Sequence, residues 1–302
     1  MQNSMMTTRR STDFSEVLRG DLHRATYLGC STHCGLKVYD FDGGSHSALM
    51  REVWRLRKLS FAGVGVELEG DDSGDRADVD GTCRQLIVWD DVEGRIVGGY
   101  RYALGAEVRK ERLSLWRYFA FTPRFEHDYL PYAVELGRSF VAPDYQCSSG
   151  RNTIFALDAL WEGLGRVVSA ADVRYLFGRV TLYPSLGIRA RNLLVGFMRY
   201  IFPPRDILIS ARQPFEAGVS RYRCGKIFVG ETLQNNYKIL LSRLRSMHRS
   251  VPPILSSYMR LSPSMQSFDC YRNNDLGGVA EMAIMLTVDD FYDDIKRRYL
   301  VL

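Results

Sequence analysis

Apolar residues recur along this chain in two periods. From 49 to 59, Leu49, Val53, Leu56 and Leu59 fall at helical spacing, with Met50, Trp54 and Phe61 flanking the stripe. From 151 to 169, Ile154, Leu157, Leu160, Trp161, Leu164, Val167 and Val168 make one apolar face and predict the clearest helix. Further helices are expected over 187–202, ended by Pro203-Pro204, over 232–248, and over 289–300. Between them lie strand-type runs. Gln85–Trp89 and Arg95–Arg101 bracket the turn Asp90-Asp-Val-Glu-Gly94 and predict a hairpin. Ala133–Val141, Tyr175–Leu182 and Met282–Val288 read as strands, with a shorter one near Leu36–Tyr39. Arg117–Phe121 fits either a short strand or a helix. Strands alternating with helices predict an α/β (α+β) fold built on a mixed sheet.

The remaining stretches are polar. Residues 67–80 hold seven acids and one arginine and read as a loop. Residues 1–45 read as an N-terminal extension, partly disordered, ending in Gly43-Gly-Ser. No apolar run approaches the length of a bilayer span. Residues 1–10 carry charge with no apolar core behind it, so a secretory signal is not expected. Six cysteines scattered over 302 residues fit reduced thiols in a cytoplasm better than a disulfide framework. Cys30-Ser-Thr-His-Cys34 has the look of a half metal site, but no second ligand pair follows at zinc spacing, so no metal is expected.

Charge changes the picture. The formal net charge of +5 conceals a basic block: residues 173–268 carry 15 Lys/Arg against 3 acids, while the segments on either side are net acidic. Such a block fits an anionic partner: nucleic acid, an anionic membrane surface or an acidic carrier protein. The absence of any nucleic-acid-binding motif counts against the first.

The strand Ala133–Val141 holds the densest chemistry. A carboxylate, Glu135, and a guanidinium, Arg138, are set among Val134, Leu136, Phe140 and Val141. Apolar strands seldom carry charges without a partner or a task. At a separation of three, an ideal strand puts the two on opposite faces. A bulge at Gly137 would bring both into one cleft. On residue types alone, an ordinary structural ion pair explains them equally well.

Taken in order, Asp78-Val-Asp-Gly-Thr-Cys-Arg-Gln-Leu-Ile-Val88, Gly94-Arg-Ile-Val-Gly-Gly-Tyr-Arg101 and Glu135-Leu-Gly-Arg-Ser-Phe-Val141 resemble the GNAT acyltransferase superfamily. More narrowly they resemble its hemolysin-like branch, which includes the ornithine-lipid and glycine-lipid N-acyltransferases. The acyl-homoserine-lactone synthases are more distant relatives with a similar Glu-x-x-Arg strand. The resemblance covers residues 49–215 well and continues more weakly through Tyr258-Met-Arg-Leu-Ser-Pro-Ser and Asn274-Asp-Leu-Gly-Gly-Val. It implies a GNAT-like twisted mixed sheet flanked by helices, in a domain over 46–302 with its core at 49–215 and a C-terminal extension at 216–302.

The same resemblance implies the site. Glu135 would be the general base, and Arg101 and Arg138 would hold it or fork onto an acceptor carboxylate. Asp78 and Asp80 would line the acceptor pocket. Relatives carry Asp-x-x-Asp here; in this chain position 77 is Ala, and the pair reads as Asp78/Asp80. A backbone N–H near Val141 would meet the oxyanion. Tyr183 and Tyr145 follow strands and are candidate acids for the leaving thiolate. Coenzyme A enzymes of the superfamily carry a Gly-rich turn before a helix to cradle the pyrophosphate. In Tyr145-Gln-Cys-Ser-Ser-Gly-Arg-Asn152 only Gly150 remains of it, with Ser149 and Arg151 beside it for the arm's phosphate. A weakened turn and a basic block favour acyl carrier protein over acyl-coenzyme A as donor, with no cofactor bound. The expected function is transfer of a long, 3-hydroxylated acyl chain to the α-amine of an amino acid, giving a lyso-aminolipid. Its expected location is the cytoplasm, peripheral on the inner face of the membrane. The competing readings are a signal synthase like the homoserine-lactone makers, for which no S-adenosylmethionine-site feature is seen, and a non-catalytic nucleic-acid-binding protein.

Overall fold

The computed structural model describes residues 14–44, 47–63, 75–146, 151–215, 218–274 and 278–300. A helix over 14–22 (α1) leads into β1 (Thr26–Cys30), β2 (Lys37–Asp42), α2 (Ala48–Ala62) and the single turn α3 (Arg76–Val79). Then come β3 (Arg84–Asp90), β4 (Arg95–Leu104), β5 (Phe119–Phe121), β6 (Ala133–Val141), α4 (Arg151–Ala170) and β7 (Tyr175–Leu182). The chain continues through α5 (Gly187–Ile201), β8 (Ile209–Ala211), α6 (Arg221–Ile227), α7 (Leu233–Ser246) and α8 (Pro253–Leu261). It closes with β9 (Gln266–Asn273), β10 (Val279–Thr287) and α9 (Asp293–Tyr299).

Eight strands form one sheet in the order β1-β2-β3-β4-β6-β7-β10-β9. Every neighbouring pair is antiparallel except β6 and β7. A parallel pair needs a long crossover, and α4, a 20-residue amphipathic helix, supplies it. The sheet buries both faces. On one, Leu160, Trp161 and Leu164 of α4 pack with Leu194 and Phe197 of α5 and Leu240 and Leu244 of α7. On the other, Leu115, Phe119 and Phe125 from the segment between β4 and β6 pack with Phe177 and Met285. α1 and α2 cover the β3–β4 region through Leu18, Leu49, Met50 and Val53.

The expected mixed α/β architecture is present. The hairpin, the β6 and β7 strands and the helices at α4, α5 and α7 fall where periodicity places them. Arg117–Phe121 resolves as a turn followed by β5, paired with β8. The polar N-terminal stretch holds more structure than its composition indicates. β2 pairs with β3 over six residue pairs, and Leu18 and Leu22 are buried against α2. α6, α8, β8 and β9 also were not anticipated. They are short or of mixed polarity, and their burial is supplied by the rest of the fold.

Candidate active site

β6 is kinked where its charges lie. Against β4 it pairs Gly99 with Phe140 but Arg101 with Gly137, so β6 spends one more residue than β4 between these pairs. That is a β-bulge. Arg138 carries it in the left-handed region, with φ of 50°. The bulge is the device that lets two residues three apart share a face.

Beside the bulge the sheet opens. β6 and β7 pair from Ala133–Tyr175 to Leu136–Gly178 and no further. β6 runs on along β4, and β7 runs on along β10. Gly178 sits at the fork, where a Cβ would lie 2.4 Å from the Leu136 carbonyl oxygen, so only glycine allows this approach. The gap is a cleft of about 450 Å³. Its walls include Phe140, Val141, Leu157, Leu186 and Ile254, and its floor carries Arg101, Arg138, Arg179, Thr181 and Glu281.

The floor is a layered charge network. Asp75, the N-cap of α3, receives Arg101 Nη1 at 2.6 Å and Arg138 Nη2 at 3.0 Å on the same oxygen, Oδ2. Burial opposes charge on Asp75, but the two guanidiniums outweigh it and hold the carboxyl well below the usual range. Beneath lies Asp78, fully buried, accepting from Trp54 Nε1, Arg57 Nη1 and Gln85 Nε2 at 3.0, 2.7 and 2.8 Å. Burial lowers Arg57 to about 10 against the pull of Asp78. Arg101 is also opposed by burial, yet Asp75 and Asp78 keep it above its ordinary value. Arg138 is lowered, by burial first and by neighbouring Arg101 second. Its side chain is 23% exposed against 4% for Arg101, so Arg138 is the cation of the pair that a ligand reaches.

Glu135 is tied differently. Its Oε2 accepts from Ser114 N–H at 2.9 Å and its Oε1 from Leu115 N–H at 2.6 Å. It lies 4% exposed behind the cleft wall and pins the β4–β6 connection over the sheet. The next strands contribute a second pair. Arg179 Nε lies 3.1 Å from Glu281 Oε1, and Arg179 Nη1 donates to the Ser114 carbonyl. Glu281 also accepts from Thr181 Oγ1 at 3.3 Å and Asn273 Nδ2 at 3.0 Å. Tyr183 stands at the end of β7 in the cleft wall, its phenol pushed up to about 12 by burial and by the Glu281 charge.

The residues marked in the sequence are thus distributed. Arg101, Arg138 and Asp78 meet in one network, with Glu135 alongside. Asp80 turns away to Thr82 and Arg112, and the carboxylate that completes the set is Asp75, three residues before Asp78. Asp75 and Asp78 stand in an Asp-x-x-Asp spacing, two residues before the positions 77 and 80 at which the resemblance placed its pair. Val141 lines the cleft, its carbonyl accepting from Ser60 Oγ and Gln146 Nε2. Ser149 and Gly150 lie outside the described residues; Arg151 opens α4. Tyr145 bonds Asp90, away from the floor. Arg179 and Glu281 were missed, although each is a charge inside an apolar strand, the same signal that marked Glu135.

His33, Asp158 and Glu162 bring ligand-type atoms within 4.8 Å of one another. Both carboxylates already have partners there: Asp158 receives Arg298 and Tyr299, and Glu162 receives Ser31 and Thr32. Among the described residues, no helix is long and apolar enough to cross a membrane.

Residues 56–156 match the family model described as Acetyltransferase (GNAT) domain. Over 295 residues the chain is 35% identical to a glycine N(alpha)-acyltransferase of Bacteroides thetaiotaomicron, covering 94% of this chain and 87% of that protein. A glycine N(alpha)-acyltransferase of Phocaeicola vulgatus is 33% identical over 293 residues, covering 94% and 90%. Among solved structures, a CoA-dependent acyl-homoserine lactone synthase, MesI, aligns over 84% of this chain and 88% of its own, with 12% identity and a TM-score of 0.38. The matched GNAT domain spans α2 to the start of α4, the part of the chain that builds the bulge and one wall of the cleft, and full-length relatives named acyltransferases extend the match across the C-terminal strands; the chain belongs to the GNAT family of acyltransferases.

Proposed function

We propose that the chain moves a long acyl group from the phosphopantetheine arm of an acyl carrier protein to the α-amine of a small amino acid, glycine foremost. The product is an N-acyl amino acid, a lyso-aminolipid. The observation that carries this reading is the forked cleft between β6 and β7, apolar along its walls and cationic at its floor. A thioester arm enters between the parted strands, where the cleft-facing edge of β6 has no strand partner and can offer N–H groups near Val141 to the developing oxyanion. The acyl chain lies along apolar wall residues such as Leu157, Leu186 and Ile254. The acceptor's carboxylate meets Arg138, the more open of the paired guanidiniums. Tyr183 is placed to give its proton to the leaving thiolate.

Glycine is favoured by the two relatives named for it and by the depth of the charged floor. Carrier protein is favoured by the basic excess of residues 173–268, the stretch that also supplies the 184–186 and 250–254 borders of the cleft. The 184–186 turn and the 250–254 segment both border the cleft, and Arg249 at the end of α7 donates to the Leu186 carbonyl. Exposed Arg189, on α5, and Arg243 and Arg245, on α7, lie within a few residues of these segments in sequence. The same basic block suits an anionic membrane surface in the cytoplasm, where a poorly soluble product would be released.

The test is turnover by purified protein with matched acyl-carrier-protein and acyl-coenzyme A donors against a panel of amino acids, read by mass spectrometry. An N-acylglycine formed faster from the carrier donor is expected. Preference for coenzyme A, or acylation of a hydroxyl, overturns the reading.

A further inference from the structure

We infer that Glu281, on β10, is the carboxylate that accepts the proton from the acceptor's ammonium. The inference rests on the proposed transfer to an amine and adds the residue that makes the amine reactive.

Among the described residues lining the cleft, Glu281 is the one acid; no histidine lines it, and the remaining polar residues are hydroxyls, one amide, and arginines. Hydroxyls and amides do not take a proton from an ammonium at neutral pH, and arginine cannot act as a base. Glu135 does not line the cleft; its two oxygens accept the backbone N–H groups of Ser114 and Leu115. Asp75 is pinned by two guanidiniums on one oxygen.

Geometry then favours Glu281. Strand alternation and register put Arg179, Thr181 and Glu281 on one sheet face, with Glu281 directly opposite Thr181. Arg101 and Arg138 come from β4 and β6, the strands across the fork in the same sheet order. Arg179 and Thr181 hold Oε1, and Asn273 holds Oε2. A carboxylate has about four acceptor sites, so one on Oε2 is left for a proton or a water that relays it. Glu281 is 1% exposed, at the inner end of the cleft rather than on the open surface. Arg138, Glu281 and Tyr183 all line the one cleft, so cation, base and phenol border a single volume. An amino acid with its carboxylate on Arg138 can turn its ammonium toward Glu281.

The step balances without a co-reactant. The ammonium gives one proton to Glu281. The free amine forms a C–N bond to the thioester carbon, the C–S bond breaks with its electron pair going to sulfur, and the second N–H proton ends on the thiolate. Glu281 then releases its proton, leaving amide and thiol.

Glu281→Gln keeps the shape and removes the base. With the acceptor on which the wild type turns over fastest, kcat is expected to fall on the order of 10²–10⁴-fold, with both KM values changed little. An acceptor of lower amine pKa, glycinamide, reaches the enzyme with more of its amine already free, so it is expected to restore much of the variant's rate relative to wild type. A merely structural role does not produce that rescue. Circular dichroism and thermal melting establish folding; should the glutamine variant fail to fold, Glu281→Asp carries the test through a lowered kcat and a displaced acid limb of the pH–rate profile. Normal kcat in Glu281→Gln, equal impairment with both amines, or an unaltered Glu281→Asp profile overturns the inference. A wild type that prefers another amino acid or coenzyme A overturns the proposed substrates alone, since each variant is compared with wild type on its best acceptor.

Discussion

Arg101 and Arg138 close on the same oxygen of Asp75, at 2.6 and 3.0 Å. Two like charges are thereby held side by side at the floor of the cleft, one sealed and one open. Asp75→Asn removes the charge that joins them. The expected loss is smaller than the ~3–5 kcal/mol of a fully buried pair, because Asp75 is 33% exposed. Its lowered folded-state pKa means that it contributes stability above the unfolded carboxylate value of about 4, and that this contribution is lost as pH falls toward the folded value. Urea melts from pH 7 down to 3 are expected to show a steeper loss in wild type than in Asp75→Asn. Parallel curves would refute it.

Much of this was legible in the sequence, and the limits have physical causes. The helix stripes at α2, α4, α5 and α7 and the β3–β4 hairpin are long, strongly patterned segments, where local periodicity and global burial agree. The Glu135–Arg138 strand announced itself because charge in an apolar run demands an explanation. Its bulge was foreseeable from the parity of the spacing, and the structure places it at Arg138, one residue beyond Gly137. Asp75 was not singled out because seven acids between 67 and 80 look alike until α3 turns two of them inward. Glu281 was overlooked because it precedes the run Met282–Val288, and a strand boundary drawn three residues late put it outside. The fork at Gly178 is a property of three strands and has no local sequence pattern beyond the glycine itself.

Glu135 serves the β4–β6 connection through two backbone N–H groups. Glu135→Gln leaves one oxygen and one NH₂ where two acceptors are needed, so one buried N–H loses its partner. The expected cost is about 1–3 kcal/mol, seen as a lower urea midpoint at unchanged slope. Catalysis by the folded fraction is expected to fall far less than in Glu281→Gln. A variant of undiminished stability with kcat reduced by two orders or more would return the base to Glu135.

Arg138 combines a left-handed backbone with the open cation. Arg138→Gly relieves the backbone and removes the charge, whereas Arg138→Ala removes the charge and keeps the strain. Glycine is therefore expected to be the more stable of the two by about 1 kcal/mol. Both are expected to raise the KM for the amino-acid acceptor and leave that of the acyl donor nearly unchanged. Equal stability would show that the bulge relaxes on truncation; a donor KM that rises instead would move the guanidinium from the acceptor to the thioester.

The basic block makes the strongest claim about a partner. Residues 173–268 carry 15 cations and 3 acids, and part of that excess lies on α5 and α7, the helices next in sequence to the 184–186 and 250–254 segments that line the cleft. Not every cation there is equivalent. Arg191 stacks over Phe215 at 4.8 Å, so replacing it would disturb packing along with charge. Arg189 and Arg245 are exposed and are the cleaner probes. Charges at the rim of an interface act chiefly on association rate, and their effect fades as salt shortens the screening length to about 8 Å at physiological strength. Arg189→Glu with Arg245→Glu is therefore expected to lower kcat/KM for an acyl-carrier-protein donor about tenfold at low salt, with a much smaller difference at 0.5 M salt. The matched acyl-coenzyme A donor, which carries its own phosphates but no acidic protein, is expected to lose less. Stopped-flow or steady-state rates across a salt series check this directly. A double variant that treats the carrier donor as the wild type does, at every ionic strength, would leave the basic block without a role in donor recognition.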